Sequence, residues 1–184
     1  LSDDILGLMA DVIEAKPSFE SAVEAALGES LQYIIVKDQH TGSLAIDYLK
    51  SQQAGRSGFI PVGAIKQLKE KQSQTAQASR LLLNHLTVKP GFEEIAHALL
   101  GHVSITDSLG EAIELFNRNG SLQTIVTRNG DLISPQGIML GGSRDKLNGI
   151  LSKKQEMKKL QRQSRDLDQK VEKARDDQAQ LDSD

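Results

Sequence analysis

Apolar and polar residues follow the same order twice along the chain. Residues 8–28 and 81–101 align without a gap, so that Leu8 matches Leu81, and they are identical at eight of 21 positions. Each copy has a proline near its start, apolar residues at helical spacing and a closing glycine, Gly28 or Gly101. This order predicts one helix per copy, opened by the proline and ended by the glycine.

The pattern after each glycine predicts three further elements. Short β-branched runs predict strands over 33–36 and 103–106. The next helices are predicted over 45–49 and 112–116. Their Ala-Ile sequences align them so that Ala45 corresponds to Ala112. The last strands are predicted over 58–62 and 123–127. The chain is therefore predicted to be α+β, with two lobes of helix, strand, helix and strand whose strands can share one sheet.

Domain boundaries follow from the same pattern. We expect lobe I over residues 1–63 and lobe II over 81–149. Residues 64–80 between them include a Gln- and Lys-rich run with almost no large apolar side chains, which predicts an exposed connector.

Residues 150–184 have a heptad pattern. The apolar residues at steps of three and four are Ile150, Met157, Leu160, Leu167, Val171, Ala174 and Leu181. This spacing predicts a segment of coiled coil. A single helix of this kind is marginal in water, so we expect its partner strand to come from another chain or from polypeptide outside these 184 residues.

Composition excludes several classes of protein. The chain has no cysteine, which removes disulfides and thiolate chemistry, and no apolar run near the ~20 residues that cross a bilayer. The N-terminal residues lack a secretory pattern, so we expect a cytoplasmic protein without membrane contact. The four histidines have no metal-ligand spacing and the paired carboxylates are adjacent in sequence, so we expect no catalytic site, metal or cofactor.

Residues 130–143 are rich in glycine and allow three interpretations. Glycine turns can cradle a phosphate, but the Gly-Lys-Ser/Thr and Gly-x-Gly-x-x-Gly patterns are both absent. The segment can instead be an exposed strand edge whose glycines let another backbone approach. Ordinary turns around a buried strand are the third interpretation.

The same residues resemble the hinge of SMC (structural maintenance of chromosomes) proteins. The resemblance is carried by the spacing of Gly130, Gly137, Gly141 and Gly142, and by residues 7–14, 25–28, 55–61 and 131–137. Some family members have a second Gly-Gly pair where this sequence has residues 144–148.

The resemblance implies a two-lobed hinge that pairs with a second hinge, with a homodimer favoured. The implied interface residues are Gly137, Ile138, Met139, Leu140, Gly141 and Gly142, facing Gly55, Arg56 and Phe59 of the second hinge. It also implies a missing N-terminal arm as the coiled-coil partner, ATP-hydrolysing heads beyond this segment, and a role at the nucleoid in chromosome condensation and segregation.

Basic residues at the start of the heptad segment have two interpretations. They can form the solvated face of a coiled coil, or they can contact DNA phosphates, as the resemblance implies, in a weak and sequence-independent way. The candidates are Lys153, Lys154, Lys158, Lys159 and Arg162, with Lys66 and Lys69 as weaker ones. The competing function is a small α/β nucleotide- or metabolite-binding domain with a helical appendage.

Overall fold

The computed structural model describes residues 4–68, 80–119, 123–142 and 149–181. Its helices are α1 (Met9–Val12), α2 (Glu20–Leu27), α3 (Gln39–Ser51), α4 (Val62–Leu68), α5 (Glu93–Leu100), α6 (Leu109–Asn119) and α7 (Ile150–Leu181). Its strands are β1 (Ile5–Leu8), β2 (Ile13–Ala15), β3 (Ile34–Val36), β4 (Phe59–Pro61), β5 (Leu86–Val88), β6 (Val103–Thr106), β7 (Thr124–Thr127), β8 (Leu132–Ile133) and β9 (Met139–Leu140).

The repeated order of helix, strand, helix and strand is present in both halves, so the α+β prediction is confirmed. The first repeat is α2-β3-α3-β4 and the second is α5-β6-α6-β7. A turn of 3-10 helix at Pro17–Phe19 opens α2, because proline lacks the N–H that a first helical turn leaves unpaired. Val62 was predicted to end a strand, but it begins α4. Helix α4 also covers the start of the predicted connector. The rest of that connector, 69–79, lies outside the described residues.

Strands β2 and β5 join the two halves of the chain. They pair antiparallel, with Ile13 opposite Val88, Glu14 opposite Thr87 and Ala15 opposite Leu86. The central partners, Glu14 and Thr87, are also the positions that the gap-free alignment of the sequence repeat makes equivalent. Residues that are equivalent in the repeat therefore face each other at the centre of this ladder.

The remaining strands form two separate sheets, one in each lobe. The prediction that the two lobes can share one sheet is therefore wrong, and the β2–β5 ladder is the strand pairing between the lobes among the described strands. The described strands give one sheet in the order β1-β3-β4 and another in the order β6-β7-β8-β9. In each repeat the two strands are parallel, β3 with β4 and β6 with β7, because a crossover helix joins them. Within the described ranges, the second repeat alone continues into a hairpin, β8–β9, on the outer side of its last strand.

Helix caps give the correct alignment of α3 with α6. The Thr41 N–H donates to Asp38 Oδ1 over 2.8 Å, and the Glu111 N–H donates to Ser108 Oγ over 3.3 Å. Asp38 and Ser108 occupy the same N-cap position, which favours Asp and Ser because their oxygens accept from the first turn. The two helices therefore correspond through these caps, and the match of Ala45 with Ala112 suggested by their Ala-Ile sequences is wrong.

The core is built from aliphatic side chains of both repeats. Helix α2 of the first repeat packs against α5 and β7 of the second. The fully buried side chains include Met9, Val23, Ile35, Leu82, Ile95, Leu100 and Val126. Phe19 is the aromatic side chain among the buried core residues of the described chain, so the core depends mainly on close packing of branched side chains.

The chain divides into two compact units, residues 1–149 and 150–184. The second unit contains α7, a helix of 32 residues. Four of its heptad side chains, Met157, Leu160, Leu167 and Val171, are each at least 50% exposed, as expected of side chains that form the seam of a coiled coil. Among the described helices, none is both long and apolar enough to cross a membrane.

Candidate functional site

Strand β9 presents an apolar outer edge. Ile138, Met139 and Leu140 are 57%, 51% and 60% exposed. Among the described strands β9 pairs only with β8, and the Ser134 N–H donates to the Ile138 carbonyl over 2.9 Å. Since the polar groups of successive strand residues alternate in direction, those of Met139 and Gly141 point away from β8. A second strand can therefore add to this edge.

Strand β4 is the matching edge of the other sheet. The Ile34 N–H donates to the Gly58 carbonyl over 3.0 Å, so the polar groups of Phe59 point to the side away from β3. Pro61 has no N–H to offer, and proline is tolerated at such an edge because no ladder bond is lost there. The preceding residues Gly55 and Arg56 are exposed and Phe59 is half-buried. Of the predicted interface residues, Phe59 thus lies on one strand edge and Met139 and Leu140 lie on another, whereas Gly55 and Arg56 lie in the loop before β4.

The glycines of this region have roles within their own chain. Gly137 and Gly142 adopt φ values of +81° and +121°, which other residues rarely adopt. A Cβ on Gly141 would lie 2.6 Å from Asp131 Oδ1, too close for any real contact. Sequence reasoning assigned these glycines to the approach of another backbone, but local turns and one internal contact already require them.

An Asp–Thr pair closes the turn between β7 and β8. The Thr127 hydroxyl donates to Asp131 Oδ2 over 3.1 Å and accepts from the Asp131 N–H over 3.0 Å. The Thr127 N–H also donates to the Asp131 carbonyl over 2.8 Å. Sequence reasoning missed this network, although Thr followed by Asp across an Asn-Gly turn is a recognisable signal.

The phosphate-cradle interpretation does not agree with the geometry. A nucleotide loop leads from a strand into a helix N-terminus, whereas Gly130 and Gly137 lie in the turns of two successive hairpins. Within the described ranges no group of three or more His, Asp or Glu side chains is arranged to hold a metal ion. The segment is an edge hairpin.

Aromatic and charged side chains join the two repeats beside the turn between β7 and β8. The rings of Phe19 and His85 stack with centroids 4.0 Å apart, and the Arg128 guanidinium lies 5.2 Å from the Phe19 centroid. Arg128 also pairs with Asp107 over 2.6 Å. Burial, and secondly the charges of Lys16 and Arg128, hold the pKa of His85 below its ordinary value. The stack therefore favours a neutral imidazole.

The predicted basic residues do not all share one face. At 100° per residue, Lys154, Lys158 and Arg162 lie along one flank of α7, whereas Lys153 falls within the apolar stripe and Lys159 on the other flank. Lys66 belongs to α4, and Lys69 lies outside the described residues.

Comparison with known families gives a direct match. The family model described as "SMC proteins Flexible Hinge Domain" matches residues 2–116. The "Chromosome partition protein Smc" of Bacillus subtilis is 32% identical over 174 residues, which is 91% of this chain and 15% of that protein. The protein of the same name from Myxococcus xanthus is 36% identical over 160 residues, 85% of this chain and 13% of that protein.

Solved structures agree with this match. An asymmetric dimer of the Geobacillus stearothermophilus SMC hinge domain is similar with a TM-score of 0.73 and 28% identity, covering 91% of this chain and 70% of that chain. The Pyrococcus furiosus SMC hinge domain has a TM-score of 0.64 and 25% identity, covering 78% and 79% of the two chains. The chain therefore spans a small part of the curated relatives and most of the solved domains.

Proposed function

The chain belongs to the SMC flexible-hinge family, and from that premise we propose that it pairs with a second copy of itself through two strand edges. Strand β9 of each copy continues the sheet that ends at β4 of the other. Each of the two contacts contains one edge from each copy, so a two-fold arrangement satisfies both edges at once. The dimer then joins two coiled-coil arms, each beginning with α7.

The exposed apolar edge of β9 is the observation that carries this proposal. Three consecutive apolar side chains, each more than half exposed, stand beside outward backbone groups of Met139 and Gly141. Proteins usually protect such an edge with charges, proline or a bulge, because it pairs with other chains. Its apolar character is explained if a second hinge covers it.

Strand β1 is also an edge, but it is less suited to pairing. Its register with β3 shifts between Ile5 and Gly7, which marks a bulge or irregularity. Such an irregularity bends a strand and leaves a backbone group without a regular partner, which hinders the addition of another strand. The registers of β4 with β3 and of β9 with β8 have no such interruption.

Proline substitution at the outward N–H of β9 tests the proposal. In Met139→Pro, the hairpin bonds of Leu140 to β8 remain, because only an N–H that faces away from β8 is removed. We expect this variant to be a folded monomer at micromolar concentration by sedimentation velocity. Met139→Ala, the matched control, keeps the N–H and is expected to remain largely dimeric.

The outcome separates a pairing edge from an exposed but unused strand. Circular dichroism and the melting temperature establish that both variants are folded. A Met139→Pro variant that is folded and as dimeric as the unaltered chain would exclude β9 as the pairing edge.

We further propose that the basic flank of α7, formed by Lys154, Lys158 and Arg162, contacts nucleic-acid phosphates. Neutralising phosphates releases counterions, so binding should weaken with salt in proportion to the number of contacts. Exchanging all three for Glu should weaken binding of single-stranded DNA and flatten its salt dependence. The same exchange at Lys170, Lys173 and Arg175, further along α7, is the control and changes the charge by the same amount. Equal losses in both variants would indicate a general charge effect only.

The wider role follows from the relatives. As part of a longer chain, the hinge is proposed to join the arms of a chromosome partition protein at the nucleoid, while separate head domains hydrolyse ATP. A dimer that forms without added nucleotide supports this role over the alternative of a small-molecule-binding domain. Ligand-dependent thermal stabilisation of a monomer would favour that alternative.

A further inference from the structure

A cleft of about 220 Å³ lies between the two repeats. Phe19 of the first repeat lines it, together with the nitrogen-bearing side chains of Arg80, His85 and Arg128. Among the described residues, the lining takes nothing from β4 or β9. The cleft is therefore separate from the two strand edges of the proposed dimer.

The position of Arg128 leaves part of its guanidinium available to the cleft. The Arg128 N–H donates to the Thr106 carbonyl over 3.1 Å, which fixes the backbone beside β6. Its Nε pairs with Asp107 Oδ1 over 2.6 Å. A guanidinium has five N–H donors, and the pair with Asp107 uses the one on Nε. The terminal nitrogens can therefore donate to a ligand.

The acidic side chains that line the cleft already have partners. Asp107 pairs with Arg128, and Glu111 Oε2 accepts from the Asp107 N–H over 3.1 Å, as a capping side chain does at the start of a helix. Arg80, by contrast, is exposed and has no ion pair with a described residue. The cleft thus contains a guanidinium whose charge no neighbouring carboxylate balances.

The surroundings of His85 also favour an anion. Burial holds the pKa of His85 below its ordinary value, and the charges of Lys16 and Arg128 lower it further. Both of these neighbours are cations, so the imidazole lies at a positive potential. A negative ligand beside the ring is attracted by that potential and would relieve it.

The fold itself does not require these nitrogen-bearing side chains. The gap-free alignment of the repeat makes Val12 the counterpart of His85. The helix caps, with the registers of β4 on β3 and of β7 on β6, make Val62 the counterpart of Arg128. Valines therefore stand in the first repeat where the cleft has an imidazole and a guanidinium. A ligand accounts for this difference between two otherwise similar halves.

We infer that the cleft is an anion site, in which a small doubly charged oxyanion such as sulfate or a phosphate monoester binds between Arg80 and Arg128, beside His85. Guanidinium groups suit such oxyanions because they donate two parallel hydrogen bonds to them. A bound anion also favours the protonated imidazole, so binding strengthens as the pH falls through the range in which His85 titrates. The inference rests on the cleft alone and does not depend on the proposed dimer.

Nuclear magnetic resonance of the histidine ring protons tests the site with sulfate as the probe. Sodium sulfate replaces sodium chloride at constant ionic strength, so that general screening does not change. We expect the His85 ring signals to shift saturably and the pKa of His85 to rise. The chain has four histidines, and the signals of the other three are internal controls that should not respond. His85 signals that do not respond to sulfate would overturn the inference.

Arg80→Gln tests the guanidinium that has no ion pair. We expect it to weaken sulfate binding about tenfold, the effect of losing one charge-assisted hydrogen bond. Arg118→Gln is the matched control, because Arg118 is an exposed arginine held by Glu114 on α6 and does not line the cleft. Equal losses in the two variants would show a general charge effect and overturn the site, as would an Arg80→Gln chain that binds normally.

Two sources share this ligand chemistry, a free inorganic anion and a phosphorylated small molecule. Inorganic phosphate and glycerol phosphate, compared at one pH, separate them: a tighter ester supports the phosphorylated molecule, and equal affinity supports the inorganic anion. No saturable response to either would overturn the inference. The α7 variant with Lys154, Lys158 and Arg162 exchanged for Glu should bind sulfate normally. Loss of sulfate binding in that variant would place the anion on α7 and not in the cleft.

Discussion

The Gly141→Ala substitution tests why residue 141 is a glycine. Either a side chain there would clash within its own chain, or it would block the approach of a partner's backbone. The added Cβ would lie 2.6 Å from Asp131 Oδ1, so the Asp131 side chain must rotate away. That rotation breaks its 3.1 Å hydrogen bond with the Thr127 hydroxyl. Thr127 is 1% exposed, so water cannot readily replace the lost partner.

The expected cost follows from these two effects. A hydrogen bond to a charged group contributes about 1.5–3 kcal/mol, and an off-rotamer side chain costs about 0.5–1.5 kcal/mol. Backbone entropy offsets about 0.4–1 kcal/mol, because alanine restricts the unfolded chain more than glycine does. We therefore expect Gly141→Ala to destabilise the fold by about 2 kcal/mol.

A double-mutant cycle with Asp131→Ala measures the contact itself. Without the Asp131 carboxylate the new Cβ has no clashing atom, so Gly141→Ala should be neutral or slightly stabilising in that background. The coupling energy between the two positions should be about 2 kcal/mol, within the range for residues in contact. Urea unfolding in the Met139→Pro background, which is expected to be monomeric, supplies the free energies without a contribution from dimerisation.

One result would refute this reasoning. If Gly141→Ala left the free energy of unfolding of the subunit unchanged but abolished dimerisation, the glycine would serve the approach of the partner backbone. A coupling energy near zero would likewise show that Asp131 moves aside without cost.

Three further outcomes follow from the structure. Burial raises the pKa of Glu20 above 4.5, so its contribution to stability is present below that pH and lost as the pH rises through the folded value. Glu20→Gln should therefore raise the melting temperature at pH 7, with a gain that shrinks towards pH 4.5. The pKa of His85 lies below 6.5, so its contribution is present above pH 6.5 and lost as the pH falls through the folded value. His85→Phe keeps the stack on the neighbouring ring and should flatten the decline in melting temperature below pH 6.5. Finally, a Met139→Pro chain mixed with a Phe59→Pro chain should regain one of the two edge contacts, and light scattering should detect a heterodimer weaker than the unaltered dimer.

The helices and parallel strands could be predicted from the sequence because their signals are local. A proline, an apolar stripe and a closing glycine lie close together in both repeats, within 17–28 and 90–101, and the heptads of α7 need no tertiary context. The boundaries of β3, β6 and β7 were predicted within one residue. The resemblance to SMC hinges then supplied the family, which the comparisons confirm.

The strands that join the halves could not be predicted in the same way. Strands β2 and β5 are short and have little periodicity, so only tertiary pairing makes them strands. The roles of the glycines were also beyond sequence reasoning, since the contact of Gly141 with Asp131 depends on how a hairpin folds back. Loop length caused the misalignment of α3 with α6, because the Ala-Ile match ignored the N-caps.

The asymmetry between the repeats gives a physical reason for the proposed pairing. Duplication alone would produce two equivalent halves, each ending in a strand with one unpaired side. In the described part of this chain only the second half continues into a hairpin, so one sheet gains two strands while the other still ends at β4. Among the described strands, β9 is thus an edge with no counterpart in the first half, and the place beside β4 is open. The β2–β5 ladder and the packing of α2 on α5 hold the two halves together, so the hairpin cannot fill that place in its own chain without breaking them. A second copy can fill it, and in doing so offers its own open place to the first, which closes the pair without leaving either edge available for a third chain.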